Sequence, residues 1–286
     1  MSSEPILVLG PTGMLGRAVA EALRAQGASH AVAGRGVVDL SREETLATGV
    51  AEGTRVVINC TGWTNVDAAE AQEAEATVTN GRGVGQLAER CRQIGATLVH
   101  YSSDYVFEGQ ASAPYRVDHP RAPLNAYGRS KAAGEALLER SGADYVLIRT
   151  SWVYAPWGKN FVRTILGLAA KRPALRVVSD QLGRPSSAEQ LAQGTLQLLA
   201  AGGRGAFHLS DGGQCTWFEL ARAVVARAEL SCQVEPCSSA EYPSPAVRPS
   251  YSVLDLSRAE ALIGPRVSWQ QSVHAVVDRL LASPPT

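Results

Sequence analysis

The chain has 286 residues, of which 45% are hydrophobic and 19% are charged, and its 27 basic side chains balance 27 acidic ones. This is an ordinary globular composition. Without net charge there is no reason to expect a nucleic acid or an acidic membrane as a partner. A chain of this length is expected to form one large domain, or one domain with a smaller companion.

The N-terminal segment does not resemble a secretory signal, because its short apolar run is preceded by an acidic residue and followed by Gly and Pro. No apolar stretch approaches the roughly 20 residues that cross a bilayer, so we expect a soluble, cytoplasmic protein. Five cysteines without a CxxC pair predict free thiols. The five histidines include no HExxH motif, and we predict no metal site.

The first half of the chain alternates short apolar runs with helical patterns. Strands are predicted at PILVLG, HAVAGR, RVVINCTG and TLVHYSS, and helices at MLGRAVAEALRAQG and EAEATVTNGRGVGQLAERCRQIG. Such alternation is typical of parallel strands joined by right-handed crossovers, and nearly continuous apolar strands are covered by helices on both faces. We therefore predict an α/β fold in which residues 1–152 form a dinucleotide-binding Rossmann domain, with a doubly wound parallel sheet.

The alternation loosens after the strand pattern ADYVLIRTSWVY. Further helices are predicted at NFVRTILGLAAK, at SAEQLAQGTLQLLA with a serine cap, at TWFELARAVVARAEL with a threonine at its start, and at SWQQSVHAVVDRLL; LRVVSD reads as a strand. The Pro- and Ser-rich stretch CSSAEYPSPAVRPSYSVLD predicts a loop near a site, and the terminal SPPT is expected to fray. We assign residues 153–286 mainly to a smaller C-terminal α/β substrate-binding domain, with some helices and strands returning to pack on the Rossmann domain.

Three glycines, Gly10, Gly13 and Gly16, lie where the first strand passes into the first helix. Residues without a Cβ let backbone N–H groups approach a pyrophosphate, whose charge the helix N-terminus also favours. The spacing is GxxGxxG rather than GxGxxG, and a plain strand–turn–helix is the alternative interpretation. The position at the start of the chain, after a strand and before a helix, favours the dinucleotide cradle.

Arg35 stands where NAD-preferring proteins carry an acidic residue, about 20 residues beyond the glycines. A guanidinium suits a 2′-phosphate, so NADPH is the predicted cofactor and NADH remains possible. A solvated surface arginine is the alternative. Asp39 is expected either to cap the following helix or to lie near the adenine.

Tyr127 and Lys131 are four residues apart in a segment that reads as helical, so they share a face. A neighbouring ammonium favours the phenolate and is expected to lower the pKa of Tyr127, which helps it to pass a proton to an alkoxide. YxxxK also occurs by chance. Its context is the fourth strand, which ends at Ser102 and Ser103, where a serine hydroxyl can hydrogen-bond a substrate carbonyl. A strand-end serine that only satisfies backbone groups is the alternative.

With the glycine triplet, SSDYVF, YGRSK and RTSWVY in this order, the chain resembles the extended short-chain dehydrogenase/reductase family. The likeness covers essentially the whole chain. The segments RTSWVYAPWGKNFV, DQLGRPSSAEQLA and YPSPAVRPSYSVLD are specific to the branch that reduces dTDP-linked 4-dehydro-6-deoxysugars. The implied reaction is NADPH-dependent reduction of the C4 ketone of such a nucleotide sugar.

The resemblance implies a role for each residue of the predicted site. Tyr127 is the proton donor, Lys131 its activator and a ribose ligand, and Ser103 the third catalytic residue, at a position where many relatives have threonine. The predicted cofactor site comprises Gly10, Gly13, Met14, Leu15, Gly16, Arg35, Asp39, Leu40, Cys60, Thr61, Gly62, Tyr127 and Lys131. The predicted substrate site comprises Ser103, Asp104, Tyr105, Trp152 and Arg248. Asn80 matches an asparagine that supports the catalytic helix, and Arg248 and Arg184 are diphosphate or loop ligands unless salt bridges engage them.

Two other functions remain open at this point. A sugar-nucleotide 4-epimerase uses the same tyrosine and lysine, and the regulatory β subunit of methionine adenosyltransferase is similar throughout and binds NADP without catalysing a reaction. A 4,6-dehydratase is disfavoured because Tyr105 stands where its second carboxylate is expected. Some relatives dimerise through an acid-bound magnesium. Here Ala18 occupies a position where an acid is expected, although Glu189 is present, so a monomer or a different homodimer is predicted.

Overall fold

Strands and helices alternate along the chain in the computed structural model, which describes residues 5–282. The strands are β1 (Ile6–Leu9), β2 (His30–Ala33), β3 (Val56–Asn59), β4 (Thr97–Ser103), β5 (Tyr145–Thr150), β6 (Val153–Tyr154), β7 (Ala174–Val178), β8 (Leu182–Gly183), β9 (Ser186–Ser187), β10 (Gly205–His208), β11 (Cys215–Thr216) and β12 (Gln233–Cys237). The helices are α1 (Met14–Ala25), α2 (Glu44–Gly49), α3 (Val66–Ala71), α4 (Glu73–Thr77), α5 (Gly83–Ile94), α6 (Ala126–Arg140), α7 (Phe161–Ala169), α8 (Ala188–Ala200), α9 (Trp217–Arg227), α10 (Ser257–Ile263) and α11 (Trp269–Ala282). The predicted fraying of SPPT falls on residues 283–286, outside the described residues.

Six of these strands form one parallel sheet in the order β2-β1-β3-β4-β5-β10. The chain moves to the opposite side of β1 between β2 and β3, which makes the carboxyl ends of β1 and β3 the switch point where open α/β sheets bind ligands. The predicted Rossmann-type fold is confirmed. β10 comes from the second half of the chain and pairs with β5, with Phe207 opposite Ile148.

Helices cover both faces of the sheet, as its apolar strands predict. Along β1, Ile6 and Val8 belong to a buried cluster that includes residues of α1 and α8, whereas Leu7 and Leu9 belong to a second cluster with residues of α5 and α6. The alternation follows from the two-residue period of a strand. The functional division at residue 152 remains a prediction.

The long helix predicted over residues 73–95 contains a π-helical turn at Val78–Arg82 between α4 and α5. This turn packs directly on α6, because a Cβ added to Gly134 would lie 2.0 Å from the carbonyl oxygen of Asn80. Local widening of a helix re-aims its side chains. Here it directs Asn80 towards α6.

Of the two N-terminal caps predicted for helices in the second half of the chain, one is formed by the predicted side chain and the other is not. Thr216 caps α9 in a capping box with Glu219, as the sequence suggested. Ser187 occupies the N-cap position of α8, but its side chain makes no capping hydrogen bond. Its backbone N–H donates instead to Asp211, a buried residue beyond the helix. Among residues 5–282, none of the helices combines the length and the apolar character that a membrane crossing requires.

Candidate active site

The turn between β1 and α1 depends on glycine for two different reasons. Gly10 has φ +77°, a left-handed conformation that side chains rarely adopt. A Cβ at Gly16 would lie 2.1 Å from the carbonyl oxygen of Gly10, so this glycine permits tight packing under the turn. A Cβ at Gly13 would meet only that same oxygen, at 3.5 Å. Gly13 therefore leaves open space at the N-terminus of α1, where an anionic group is favoured.

A cavity of about 900 Å³ opens at this switch point. All residues of the predicted cofactor site line it except Gly16, which lies beneath the turn. The cavity combines backbone N–H groups at a helix N-terminus, positions where a missing side chain leaves room, and side chains from β3 and α6. These residues fit a bound dinucleotide.

At the rim of the cavity, Arg35 forms an ion pair with Asp39, with 3.0 Å between Nε and Oδ2. Arg35 is 79% exposed, so its guanidinium remains accessible. Asp39 also accepts hydrogen bonds from the N–H and the hydroxyl of Ser41 at 2.9 and 2.7 Å. Burial opposes ionisation of Asp39, but these bonds and Arg35 lower its pKa. Through these contacts Asp39 orients Arg35 and the turn before α2. It does not cap that helix, because the N-cap residue of α2 is Glu43.

Helix α6 carries Tyr127 and Lys131 one turn apart. It begins after Asn125, whose side chain accepts a hydrogen bond from Gly128 N at 2.8 Å and donates one to the carbonyl of Val247 at 2.9 Å. The loop predicted to lie near a site is thereby attached to the start of α6, which carries the predicted catalytic pair.

The electrostatics of this pair differ from the prediction. Burial raises the pKa of Tyr127, and a hydrogen bond with Ser103 partly opposes the rise. Lys131 is not among the groups that shift the pKa of Tyr127, and its Nζ donates to the carbonyl oxygen of Tyr101 at 2.8 Å. Burial lowers the pKa of Lys131 itself to about 8. Burial outweighs the contact with Ser103, so the neutral phenol of Tyr127 is favoured over the phenolate.

Ser103 also contacts Asp104, the first residue of the 3₁₀ turn after β4. Its Oγ donates to Asp104 Oδ1 at 2.9 Å and accepts from the N–H of Tyr105 at 3.2 Å. Burial raises the pKa of Asp104 to about 6. Its other oxygen, Oδ2, is buried and has no hydrogen-bond partner among residues 5–282. Ser102, the preceding residue, lines the cavity instead.

Tyr105 packs edge-on against Tyr127, with 5.8 Å between ring centroids. Its hydroxyl accepts a hydrogen bond from Arg248 at 3.2 Å. Arg248 also forms an ion pair with Asp67 at 2.9 Å, so the salt bridge considered from the sequence is present. The structure thus brings Tyr105 and Arg248 beside Tyr127. Arg184 belongs to a different environment, since the charges acting on it are those of Glu260, Tyr251 and Asp255.

Trp152 lies on the connection between β5 and β6 and has a left-handed φ of +49°. Its ring stacks on Trp217, with centroids 3.6 Å apart, and its edge packs on Gly183, where a Cβ would lie only 2.7 Å away. Strained backbone in a non-glycine residue persists where the surroundings impose it, often at a binding site. Trp152 has no direct contact with Tyr127 among the described contacts. Ser252 lies beside Gly183, as Trp152 does, and is also close to Asp104.

Asn80 holds α6 in place. Its Oδ1 accepts from Trp63 N at 2.8 Å, and its Nδ2 donates to Trp63 O and to Ser130 Oγ, both at 3.0 Å. Ser130 lies on α6 between Tyr127 and Lys131. A fully buried amide with all these partners fixes α6 relative to β3.

Sequence reasoning missed several residues of the site. Glu135 lies one turn beyond Lys131 and forms a buried ion pair with Arg149 of β5, with contacts of 2.9 and 2.7 Å. Burial opposes ionisation, but hydrogen bonds from Arg149 keep the pKa of Glu135 below its usual range. The helical spacing from Lys131 could have indicated Glu135. Further residues lining the cavity include Ser41, Trp63, Thr150, Val153 and Lys159.

Glu189, considered from the sequence as a metal ligand, forms an ion pair with Arg279 of α11. Ala18 is buried against the sheet in the core cluster of α1. Within residues 5–282, no group of three or more His, Cys, Asp or Glu side chains is placed to hold a metal ion.

A doubly wound sheet, a glycine cradle and a Tyr–Lys pair beside a strand-end serine define a dinucleotide-binding protein of the extended short-chain dehydrogenase/reductase class. The particular family follows from comparison with known sequences: residues 4–282 match the family described as RmlD substrate binding domain. The chain belongs to this family, and the resemblance inferred from its motifs is confirmed.

Named relatives cover nearly the whole chain. It is 39% identical to a dTDP-4-dehydrorhamnose reductase of Burkholderia thailandensis, over 97% of this chain and 99% of that protein. It is also 39% identical to a dTDP-4-dehydrorhamnose reductase of Streptomyces griseus, over 93% and 91%. Among solved structures, the dTDP-4-dehydrorhamnose reductase of Bacillus anthracis in complex with NADP has a TM-score of 0.92 and 32% identity, covering 96% of this chain and 99% of that one.

Proposed function

We propose that this protein is an NADPH-dependent reductase of the C4 ketone of a dTDP-linked 4-dehydro-6-deoxyhexose, of the type that converts dTDP-4-dehydrorhamnose to dTDP-rhamnose. The observation that carries the proposal is that Tyr127 and Lys131 line the glycine-cradled cavity together, with Ser103 beside Tyr127. The relatives named dTDP-4-dehydrorhamnose reductase support this substrate class, and the NADP complex of one of them supports the cofactor.

The cofactor is held by residues at three strand ends. Gly10, Gly13 and the N-terminus of α1 accommodate its pyrophosphate, and Arg35 contacts the 2′-phosphate that distinguishes NADPH from NADH. Cys60, Thr61 and Gly62, which follow β3, line the cavity next to Gly10. When bound, NADPH supplies the hydride that reduces the ketone.

Tyr127 supplies the proton. Burial keeps its hydroxyl protonated at neutral pH, since it raises the pKa of Tyr127. Ser103 lies within hydrogen-bonding reach of that hydroxyl, so both can contact a single ketone oxygen and stabilise the negative charge that develops there. Lys131, charged below a pKa of about 8, adds a positive charge one turn along α6.

The nucleotide sugar is the partner that the remaining residues suit. Asp104 and Tyr105 follow Ser103 directly, and Arg248 brings a guanidinium to the same place through its bond to Tyr105. We assign to Arg248 a contact with the diphosphate or with the loop around it, and to Trp152 a contact with the sugar. Binding energy from the nucleotide orients the reacting carbon.

The test follows NADPH absorbance after addition of dTDP-4-dehydrorhamnose to the purified protein. We expect steady NADPH consumption, and none with a dTDP-hexose that lacks a C4 ketone. A protein that consumes no NADPH with any dTDP-4-keto-6-deoxyhexose would contradict the proposal. If that protein still bound NADPH, a regulatory role would be favoured; if it carried tightly bound NAD and ignored NADPH, an epimerase would be favoured.

A further inference from the structure

A loop from the second half of the chain lies over the N-terminus of α1. Its Trp157 donates a hydrogen bond from Nε1 to the carbonyl oxygen of Met14 at 3.2 Å. The next residue, Gly158, has φ +69°, and a Cβ there would lie 2.9 Å from Met14 Cγ. Met14 is the first residue of α1, directly after Gly13. The loop therefore passes within van der Waals distance of the phosphate cradle.

Internal hydrogen bonds fix this loop. Asn160 donates from Nδ2 to the carbonyl of Ala155 at 2.8 Å, and its Oδ1 caps α7 by accepting from Arg163 N at 3.1 Å. Arg163 donates back to the carbonyl of Pro156 at 2.6 Å. A side chain carried by such a loop loses little backbone entropy when it contacts a ligand.

Lys159 is the residue that this loop presents. It lines the same cavity as Gly13 and Met14, and it is exposed. Within residues 5–282 it has no hydrogen bond and no ion pair, in contrast to Lys131, which donates to Tyr101. An unpaired ammonium beside a helix N-terminus and open backbone N–H groups creates an environment suited to a phosphate anion.

We propose that Lys159 is a cofactor-binding residue whose ammonium contacts the pyrophosphate of the dinucleotide. This rests on the proposed function only in that the cavity binds NADPH. Lys159 and Arg35 then bind different phosphate groups of the cofactor. Arg35, which is paired with Asp39, contacts the 2′-phosphate that only NADPH carries, whereas the pyrophosphate near Lys159 is common to NADPH and NADH.

One structural consequence concerns the division of the chain. The sequence predicts that residues 1–152 bind the cofactor and that residues 153–286 mainly bind the substrate. Lys159 lies in the second of these parts. Its contact with the pyrophosphate makes cofactor binding depend on both parts.

The experiment measures dissociation constants of NADPH and NADH, without any sugar nucleotide, by quenching of protein fluorescence. The variants are Lys159→Gln, Arg35→Gln and, as a matched control, Lys171→Gln, which changes an exposed lysine just beyond α7 outside the cavity. Hydrogen bonds to charged groups contribute about 1.5–3 kcal/mol, so loss of the Lys159 contact should weaken binding by roughly tenfold to a hundredfold.

We expect Lys159→Gln to raise both dissociation constants by a similar factor, and this difference from wild type to shrink at high salt. Arg35→Gln should weaken NADPH binding alone, and Lys171→Gln should change neither. Unchanged constants in Lys159→Gln overturn the proposal, as does a loss confined to NADPH or an effect seen only on the Michaelis constant of the sugar nucleotide.

The two proposals fail in different ways. A wild-type protein that binds NADPH but reduces no keto sugar contradicts the reductase function and leaves the role of Lys159 standing. A wild-type protein that reduces the sugar while Lys159→Gln binds both cofactors normally contradicts only the role of Lys159.

Discussion

The ammonium of Lys131 donates a hydrogen bond to the backbone carbonyl of Tyr101, 2.8 Å away, in the interior of the protein. Helix α6 is thereby joined to β4 beside the strand-end serines. Burial lowers the pKa of Lys131 to about 8, although the charge of Glu135 opposes this effect. Lys131 is therefore charged at neutral pH and loses its proton within a range that kinetics can reach.

We expect the rate of ketone reduction to fall as the pH rises through about 8, because Lys131 then loses the charge that stabilises the developing alkoxide. Tyr127 keeps its proton over this range, since burial raises its pKa. The measurement is the pH profile of kcat for the wild type and for Lys131→Met. The variant should be slower and lack this alkaline fall; if the same fall persisted in Lys131→Met, another group would be responsible.

Tyr127→Phe should lower kcat by about 10²- to 10⁴-fold, the usual contribution of a positioned proton donor. Tyr105→Phe is the matched control, because its ring still packs on Tyr127 and only the bond to Arg248 is lost. We expect this control to affect mainly the Michaelis constant of the sugar nucleotide. Equal losses of kcat in both variants would argue against Tyr127 as the proton donor.

Glu135→Leu should reduce the free energy of unfolding by about 3–5 kcal/mol, because it leaves Arg149 buried without its carboxylate. Glu73 offers the comparison, since it pairs with Arg129 at the surface, where the two side chains are 43% and 44% exposed. Glu73→Leu should cost less than about 1 kcal/mol. Urea denaturation of both variants measures the difference, and similar values for the two would contradict the distinction between buried and exposed pairs.

Two substitutions in the glycine turn should separate folding from cofactor binding. Gly16→Ala places a Cβ 2.1 Å from the Gly10 carbonyl oxygen and should lower the melting temperature markedly. Gly13→Ala has room, with that oxygen 3.5 Å from its Cβ, and should fold normally while binding NADPH more weakly. Melting curves and NADPH titrations of both proteins test this; unimpaired binding by Gly13→Ala would place the pyrophosphate elsewhere.

Asp211 should make stability depend on pH in a direction unusual for a carboxylate. Burial raises its pKa to about 6, against the hydrogen bonds from Ser187 and Tyr154, whereas its ordinary value is 3.8. The native state therefore binds more protons than the unfolded state between these values, and stability falls as the pH rises through this window. The difference of about 2 units corresponds to roughly 3 kcal/mol.

Comparison with Asp211→Asn isolates this effect from the other carboxylates. We expect the free energy of unfolding of the wild type, relative to the variant, to decrease by about 2–3 kcal/mol between pH 4 and pH 7. A relative stability that is constant over this range, in parallel urea titrations, would show that Asp211 does not titrate as proposed.

The sequence by itself determined the elements and the chemistry of the site. The glycine spacing, the four-residue interval between Tyr127 and Lys131 and the position of Ser103 at a strand end depend on local backbone geometry, which neighbouring residues encode. The apolar runs likewise determined that the sheet is parallel and covered on both faces. The predicted long helix was correct in extent, but its π turn was not predicted; this turn packs on Gly134, a residue far away in the chain.

Only the tertiary structure decided which groups face one another. The ion pair of Arg248 with Asp67, the return of β10 to the sheet and the placement of Lys159 over the cradle join segments separated by many residues, and no local pattern specifies such contacts. The pKa of Tyr127 likewise could not be predicted from a local sequence pattern. Spacing predicted that Lys131 would lower the pKa of Tyr127, but burial, which is a product of packing, raises it instead.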